Sequence, residues 1–331
     1  MLSASTRSIA DGFTRTSALV VGDVMVDAYL WGHVERMSPE APVPVVQVTD
    51  RSVRLGGAAN VALNLHALGA KPIIVSVTGN DVHADTIEQL LRADGLATDG
   101  IVRSAKRRTT VKTRIISANQ HVVRIDEEME TDLISEEEDL LLSRVKELIT
   151  STRPGVVILE DYNKGVLTER VIQGVIDEAK KQGVPVAVDP KKKNFFAYSG
   201  VDLFKPNLKE LREGMKLELH SGDKEGVRNA VRQLEARIKN KASLISLSEH
   251  GVYVHKEGEE HFLAAHQRTI VDVSGAGDSV IAVAALCLAQ GLPLGSLAAW
   301  SNLAGGLVCE HVGVVPVDRQ QLLAEAEKLN L

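Results

Sequence analysis

The residues best suited to chemistry lie in Thr269–Val280, with the sequence TIVDVSGAGDSV. The small residues 274–277 (SGAG) follow a β-rich run and lead into a helical pattern that begins near Asp278. Small side chains let successive backbone N–H groups point at one place, and a helix N-terminus adds positive potential there, which makes an anion site. A carboxylate at such a terminus stays ionised and suits a base beside a transferring phosphate. The alternative is that Asp278 only caps the helix.

Two other phosphate-binding motifs fit this sequence poorly. The dinucleotide fingerprint needs a third glycine and an acidic residue about twenty positions further on. Here Gly275-x-Gly277 is followed by Val280, and no acidic residue stands at that distance. The Walker A pattern occurs nowhere in the chain. A nicotinamide-dependent oxidoreductase is therefore a remote alternative.

The elements that must position this loop follow a regular rhythm, in which short apolar runs alternate with helical patterns. Continuous apolar strands are typical of parallel sheets that are covered on both faces. The pattern therefore predicts an α/β fold with a doubly wound, mostly parallel sheet flanked by helices, whose ligands bind outside the carboxyl ends of the strands. The predicted strands are Leu19–Val26, Pro72–Val77, Val156–Leu159 and Pro185–Val188, and the predicted helices are Ala58–Leu68, Ala84–Ala93, Thr168–Lys181 and Ile281–Gln290.

Two segments interrupt this rhythm. Asp27–Asp50 is too long for an ordinary connection between a strand and a helix, and Thr109–Asp126 shows two β-rich runs around Asn119–Gln120, which suggests a hairpin. We interpret both as a small β-sheet lid over the strand ends, able to exclude water and to dimerise; the alternative is an extra surface sheet. Residues 1–331 then form one domain that carries a lid.

Composition limits the function classes. The 331 residues carry a net charge of −6, which argues against a nucleic-acid binder, although a few placed cations can still bind phosphates. The two cysteines, Cys287 and Cys309, lie in apolar segments and are expected to be buried thiols. No apolar run is long enough for a signal peptide or a membrane span, so we expect a cytoplasmic protein without a membrane partner.

Three motifs, in the expected order along nearly the whole chain, resemble signatures of the ribokinase-like (phosphofructokinase B type) carbohydrate kinases. Residues 272–278 (DVSGAGD) resemble the C-terminal signature, with Val273 where the family usually has Thr. Residues 56–60 (GGAAN), leading to 68–70 (LGA), resemble the N-terminal signature. Residues 205–210 (KPNLKE) resemble the Asn-x-x-Glu motif near the metal and the triphosphate.

Further motifs narrow the resemblance to the heptose-7-phosphate kinases. They are 22–27 (GDVMVD), 29–32 (YLWG), 35–44 (ERMSPEAPVP), 161–165 (DYNKG) and 189–191 (DPK). These enzymes phosphorylate the anomeric hydroxyl of D-glycero-D-manno-heptose 7-phosphate on the way to ADP-heptose for lipopolysaccharide. Some carry a fused nucleotidyltransferase; we expect none in this chain, and we expect a separate phosphatase and adenylyltransferase to act downstream. The family also implies a homodimer formed through the lid.

Two alternatives to this function remain at this stage. One is a ribokinase-like kinase for another sugar, sugar phosphate or nucleoside. The other is a sensor that binds a sugar phosphate without catalysis, against which the intact loop and Asp278 count.

The resemblance implies roles at the nucleotide side. Asp278 would be the base, and the amides of Gly275, Ala276 and Gly277 would hold charge on the transferring phosphoryl group. ATP is the implied co-substrate, with Mg²⁺ held by Glu210 through water. For the 207–210 segment the alternative is a helix capping box. The nucleotide-side residues are expected to be Asn207, Leu208, Lys209, Glu210, Ser248, Gly251 and Asn302.

For the sugar phosphate, cations and hydroxyl acceptors near the strand ends are the candidates. Lys112 and Arg124, on the two arms of the hairpin, could reach the 7-phosphate, or could simply be exposed strand cations. Lys191 could equally belong to a solvated run of lysines. The substrate-side residues are expected to be Asp23, Asp27, Gly57, Asn60, Lys112, Arg124, Asp189 and Lys191.

Overall fold

The computed structural model describes residues 3–118, 120–220 and 222–331. The strands are β1 (Ser17–Gly22), β2 (Val24–Met37), β3 (Pro44–Gly57), β4 (Lys71–Gly79), β5 (Ile101–Ser104), β6 (Thr110–Ser117), β7 (Gln120–Glu127), β8 (Val156–Glu160), β9 (Val186–Asp189), β10 (Leu203–Phe204), β11 (Ala242–Ser246), β12 (Val252–Lys256) and β13 (Glu259–Leu263). The helices are α1 (Ala4–Arg15), α2 (Ala58–Ala67), α3 (Val82–Ala93), α4 (Ser135–Thr152), α5 (Glu169–Lys181), α6 (Leu208–Met215), α7 (Lys224–Ile238), α8 (Ala276–Ala289), α9 (Leu294–Val308) and α10 (Arg319–Lys328).

A large sheet organises the described residues, with nine strands in the order β13-β12-β11-β10-β9-β8-β1-β4-β5. All neighbouring strands are parallel except β11, β12 and β13, which pair antiparallel at one edge. Because helices connect the parallel strands, the two faces of this sheet are covered. The predicted mostly parallel, doubly wound sheet is confirmed.

The core explains why the strands are continuously apolar. Along β1, Val20 belongs to one buried cluster, while Leu19 and Val21 belong to the cluster on the other face. The first cluster includes residues of α2, α8 and α9, and the second includes residues of α4, α5 and α7. Successive side chains of a strand point to opposite faces, so a strand buried on both faces has no polar alternation.

A second sheet of four strands, in the order β3-β2-β6-β7, forms the lid. Its first segment, Val24–Gly57, extends beyond the predicted bounds of 27–50 at both ends. Its second segment, Thr110–Glu127, lies one residue further along the chain than the predicted 109–126. Asn119, at the predicted hairpin tip, lies outside the described residues, and Gln120 begins β7.

The predicted strand Leu19–Val26 is wrong in one respect, because it is two strands. β1 ends at Gly22 in the large sheet, and β2 begins at Val24 in the lid. Asp23 stands at the junction, where its carbonyl accepts the N–H of Ala58 at 2.9 Å. Composition alone does not reveal this change, since the residues on both sides of Asp23 are equally apolar and the two sheets differ only in pairing partner.

Within the residues described, none of the helices combines the length and the apolar character needed to cross a bilayer.

Candidate active site

The candidate site lies where the carboxyl ends of β1, β8, β9 and β10 meet the first turn of α8. Parallel strands end at the same edge, so polar residues at those ends come together although they are distant in sequence. Each strand contributes one or more buried ionisable side chains there: Asp23, Glu160, Asp161, Asp189 and Lys205.

Asp278 lies in the first turn of α8 and is 3% exposed. The N-cap of this helix is Gly275, so Asp278, three residues further on, does not occupy the capping position. Instead, Oδ2 accepts a hydrogen bond from Nδ2 of Asn60 at 2.6 Å, and Oδ1 accepts one from the hydroxyl of Tyr162 at 2.7 Å. A role as a helix cap alone therefore does not account for the two hydrogen bonds that the Asp278 carboxylate accepts.

The environment of Asp278 raises the pKa of its carboxyl. Burial raises the pKa of its carboxyl to about 6, while the hydrogen bonds from Asn60 and Tyr162 act in the opposite direction. Nearby Asp189 also raises this pKa, and Lys191 lowers it. A carboxylate with such a pKa is ionised at neutral pH and binds a proton more readily than an ordinary aspartate.

The loop before α8 is held in shape by Asp272. Its Oδ1 accepts hydrogen bonds from the amide and the hydroxyl of Ser274, and its Oδ2 accepts the amide of Gly313 at 2.8 Å. Gly275 has φ of 81°, a left-handed conformation that disfavours a side chain. These contacts fix the turn from which the helix starts.

The amides of this loop are available to an anion. Those of Gly275 and Gly277 donate no hydrogen bond within the described part of the chain, whereas the amide of Ala276 makes a long contact of 3.3 Å with the carbonyl of Val273. The loop is partly exposed. Val273, which replaces the usual Thr, is 68% exposed, so its side chain supports none of these contacts.

Beside the loop, two lysines and two acids form a charged network. Lys205, 2% exposed, places Nζ 2.7 Å from Asp189 Oδ2, and the Lys191 ammonium forms an ion pair with Glu210. Burial would lower the pKa of Lys191 and Lys205, but Asp189 and Glu210 raise both above the usual value. Both lysines therefore stay cationic. A Cβ on Gly277 would lie 3.6 Å from the Lys205 ammonium, which places this cation next to the loop.

Residues 207–210 form a helix capping box, which the sequence analysis gave as the alternative to a role at the metal and the triphosphate. The Asn207 side chain accepts the Glu210 amide, and the Glu210 side chain accepts the Asn207 amide, each at 2.8 Å. Glu210 also binds Lys191, so one residue serves both the helix and the charged network. Leu208 packs on the core, and Lys209 is exposed.

The remaining predicted nucleotide-side residues lie near the end of β11 and on α9. Ser248 and Gly251 form a tight turn with φ values of 54° and 86°, respectively. Asn302 donates a hydrogen bond to the carbonyl of Ala264 at 2.8 Å and thereby holds the segment that leads from β13 to the loop. Ile270 and Val271, on that segment, are more than half exposed.

Magnesium fits this site only in a limited way. Among the described residues no cluster of three or more His, Cys, Asp or Glu side chains could hold a metal ion. Both Glu210 oxygens already have partners, while Oδ1 of Asp189 is buried without a hydrogen bond. These donors suit an ion that arrives with the nucleotide and keeps its waters.

On the sugar side, two of the three predicted acids, Asp23 and Asp27, have different surroundings. Asp23 accepts the amides of Tyr162, Lys164 and Val166 at 2.8, 3.1 and 3.0 Å, so its carboxylate holds the 162–166 loop. Asp27 forms an ion pair with Arg114 on β6. Both carboxylates are thus engaged with the protein, one with a loop and one with the lid.

Gly57 and Asn60 connect the lid to Asp278. Gly57 has φ of 62°, and a Cβ there would lie 2.3 Å from the carbonyl oxygen of Asp23, so only glycine fits. It leads directly into α2, which carries Asn60 in its first turn. This turn places the Asn60 amide against the catalytic candidate.

Lys112 and Arg124, the two predicted hairpin cations, differ in burial and in their contacts. Lys112 is half-buried, has its ammonium 5.3 Å from the centre of the Tyr162 ring, and forms no ion pair within the described residues. Arg124 is exposed and pairs with Asp126 on its own strand. The site thus includes Lys112, and Arg124 keeps the character of an exposed strand cation.

Three residues at this edge were not assigned a role from sequence: Tyr162, Lys205 and Glu160. All follow or end short apolar strands, and this position was the available signal. Glu160 is fully buried, and neither carboxylate oxygen has a hydrogen-bond partner among the described residues. Burial, followed by Asp189 and Asp278, raises its pKa well above the usual value, which favours the protonated form.

Solved structures of similar shape share this fold. Phosphofructokinase-2 from Escherichia coli in complex with potassium superposes with a TM-score of 0.76 at 22% identity, over 94% of this chain and 99% of that chain. Ribokinase from Arabidopsis thaliana, complexed with ribose and ATP, gives a TM-score of 0.71 at 20% identity, over 93% and 98%. At these identities the similarity shows the ribokinase-like fold.

Sequence relatives are closer. A protein of Methylobacillus flagellatus named "Bifunctional protein HldE" is 42% identical over 310 residues, which is 93% of this chain and 63% of the relative. A protein of the same name from Geotalea uraniireducens is 38% identical over 323 residues, 96% of this chain and 65% of the relative. The chain therefore spans less than two thirds of the length of these relatives. Residues 15–320 match the family described as "pfkB family carbohydrate kinase", so the chain belongs to the pfkB family of carbohydrate kinases.

Proposed function

We propose that this chain transfers the γ-phosphoryl group of ATP to the anomeric hydroxyl of D-glycero-D-manno-heptose 7-phosphate, giving the 1,7-bisphosphate. The observation that carries the proposal is the position of Asp278. Its buried carboxylate, held by Asn60 and Tyr162, stands at the start of α8 beside the amides of Gly275 and Gly277, which donate no hydrogen bond to any described residue.

In the proposed reaction the sugar oxygen attacks the γ-phosphorus, the bond to the β-phosphate oxygen breaks, and ADP leaves. Asp278 accepts the hydroxyl proton. The amides of Gly275 and Gly277 stabilise negative charge on the transferring group, and the Lys191 and Lys205 ammonium groups add positive potential nearby. Bound Mg²⁺ would neutralise phosphate charge, with Glu210 and Asp189 available to its waters.

The substrate class is supported by the motifs that resemble heptose-7-phosphate kinases and by Lys112. Burial, followed by the charge of Lys164, lowers the pKa of this half-buried ammonium, while Asp27, Glu128 and Asp126 raise it without forming an ion pair with it among the described residues. A phosphate on the sugar would supply the missing partner. This contact favours a sugar phosphate over an unphosphorylated sugar or a nucleoside.

A homodimer through the lid is part of the proposal. The lid's apolar face, defined by Val34, Val48, Val53, Val123 and Ile125, is exposed by 36 to 49%. The pairing register places these side chains on one side of the sheet, opposite Asp27 and Lys112. A second copy of the lid would cover this face.

The reaction fits the cytoplasm, where ATP and sugar phosphates are found. A phosphatase and an adenylyltransferase would then convert the bisphosphate to ADP-heptose.

The test is phosphorus NMR of the purified chain with ATP, Mg²⁺ and heptose 7-phosphate. We expect a new anomeric phosphate signal and stoichiometric ADP. Parallel reactions with ribose, fructose 6-phosphate and adenosine provide the substrate controls. Transfer to one of these but not to the heptose phosphate would refute the substrate, and absence of transfer to any acceptor would refute the kinase.

A further inference from the structure

Tyr162 contacts both halves of the proposed active site. Its backbone N–H donates to Asp23 Oδ2 at 2.8 Å, and its hydroxyl donates to Asp278 Oδ1 at 2.7 Å. The Lys112 and Lys191 ammonium groups lie 5.3 and 5.2 Å from its ring centre. One side chain thus lies against the proposed base, the candidate sugar-phosphate cation Lys112, and Lys191, the cation that pairs with Glu210.

The hydroxyl of Tyr162 is a permanent donor. Burial, followed by the charges of Asp278 and Glu160, raises its pKa well above the usual value, so the proton stays on the phenol. Asp278 accepts one hydrogen bond on each oxygen, from Tyr162 and from Asn60. Two donors fix the carboxylate plane, and each oxygen keeps a further acceptor position for a sugar hydroxyl.

The position of the donor is itself imposed by the fold. Asp23 binds the amides of residues 162, 164 and 166, and so fixes the backbone from which the Tyr162 ring projects. Such a buried carboxylate with three amide donors serves a structural purpose. Asp23, which the sequence analysis assigned to sugar binding, acts here through the loop that it holds.

We propose that Tyr162 is a positioning residue, whose phenolic hydrogen bond holds the Asp278 carboxylate in the orientation that accepts the proton of the sugar hydroxyl. This inference rests on the proposed kinase function. Because the hydrogen bond stabilises the ionised carboxylate, its loss must raise the pKa of Asp278. The acidic limb of the pH profile then moves to higher pH, since Asp278 must be deprotonated to act.

Other charged groups around Asp278 stay constant in this test. Asp189 and Glu160 are the acids that face it from β9 and β8, and Lys191 and Lys205 are the cations beyond them. Asn60, on α2, is neutral. Substitution of the phenol by a phenyl ring removes none of these groups and retains the ring that contacts the two lysines.

The experiment compares Tyr162→Phe with the matched control Tyr198→Phe. Tyr198 is also buried and donates to a buried carboxylate, Asp161, at 2.8 Å. For Tyr162→Phe we expect the acidic limb of kcat/KM, near pH 6 in the wild type, to rise by about one unit. Both KM values should stay within about twofold because the ring remains, and Tyr198→Phe should not move the limb.

A second variant keeps the test informative if Tyr162→Phe folds poorly. 3-Fluorotyrosine at position 162 retains the hydroxyl and makes it a stronger donor, so the limb should shift to lower pH. An unmoved limb in both variants, or an equal shift in Tyr198→Phe, would overturn the assignment.

Carboxyl ¹³C NMR separates this inference from the proposed function. The Asp278 signal, assigned by its loss in Asp278→Asn, should titrate at higher pH in Tyr162→Phe without any turnover. An inactive wild type would overturn the kinase proposal and with it the role in proton acceptance. The titration would then still support or overturn the coupling between Tyr162 and Asp278.

Discussion

The strand-end edge around Asp278 and the lid sheet differ in how they use charge. At the edge, charged side chains are buried or partly buried, and Lys205 pairs with Asp189 and Lys191 with Glu210. In the lid, one face carries Asp27, Lys112 and Arg114, while the other presents exposed valine and isoleucine. The edge holds its charges in fixed contacts, whereas the proposed function gives the lid contacts with the substrate and with a second copy of the chain.

The contrast assigns different tasks to the two regions. A phosphoryl transfer needs charges that do not reorganise during the reaction, which a buried and hydrogen-bonded edge supplies. Substrate selection needs groups whose partner arrives with the ligand, and the proposed function gives this task to Lys112, which forms no ion pair among the described residues. Substitutions at the edge should therefore change turnover or stability, and substitutions in the lid should change KM or assembly.

The largest expected effect is that of Asp278→Asn at the edge. We expect kcat to fall at least ~100-fold, because the amide cannot accept the hydroxyl proton. Steady-state kinetics at pH 8 measures this, with nucleotide affinity and circular dichroism as controls. A variant that binds both substrates and turns over at nearly the wild-type rate would contradict the assignment of the base.

The next effect is on stability, at the buried pair of Lys205 and Asp189. Lys205→Met leaves Asp189 without its nearest cation, and we expect the free energy of unfolding to fall by about 3 kcal/mol. Urea denaturation measures this. The control is Lys241→Met, which removes an exposed pair with Asp202 and should cost at most about 1 kcal/mol. If both variants lose the same free energy of unfolding, the buried pair contributes no more to stability than the exposed pair.

In the lid, Lys112→Ala should raise the KM for the sugar phosphate by about 10-fold or more, the lower end for a hydrogen bond to a charged group. The kcat should change little, because Lys112 does not contact Asp278 in the structure. Arg124→Ala, on the next strand, should leave KM within about twofold since Arg124 is exposed and paired with Asp126. If the two variants behave alike, the 7-phosphate does not bind where we place it.

The smallest effect on chemistry is expected at the lid's apolar face. Ile125→Lys places a charge where a second lid would pack, and light scattering should show a shift from dimer to monomer. Leu140→Lys, at a residue on α4 that is 57% exposed, is the control and should leave the mass unchanged. A wild type that is already monomeric would argue against lid-mediated assembly.

Much of the fold and part of the site could be predicted from local sequence. The alternation of apolar strands with helices gave the doubly wound sheet, because burial on both faces requires continuous apolar runs. The loop before Asp278 was also predictable, since its small residues and the start of α8 are adjacent in the chain. What could not be predicted was the division at Asp23, where two sheets share one apolar run.

The sequence by itself determined the turn of small residues before α8 and placed Asp278 in the first turn of that helix, because both depend on neighbouring residues. Only the tertiary structure decided what holds that carboxylate. Tyr162 lies 116 positions away from it, and Asn60 lies 218 positions away. It also decided that Asp23 supports a loop, that Lys112 lies against the Tyr162 ring and that Arg124 is exposed and pairs with Asp126. Contacts of this kind arise where strand ends and sheets converge, and no local pattern in the chain encodes which side chains meet there.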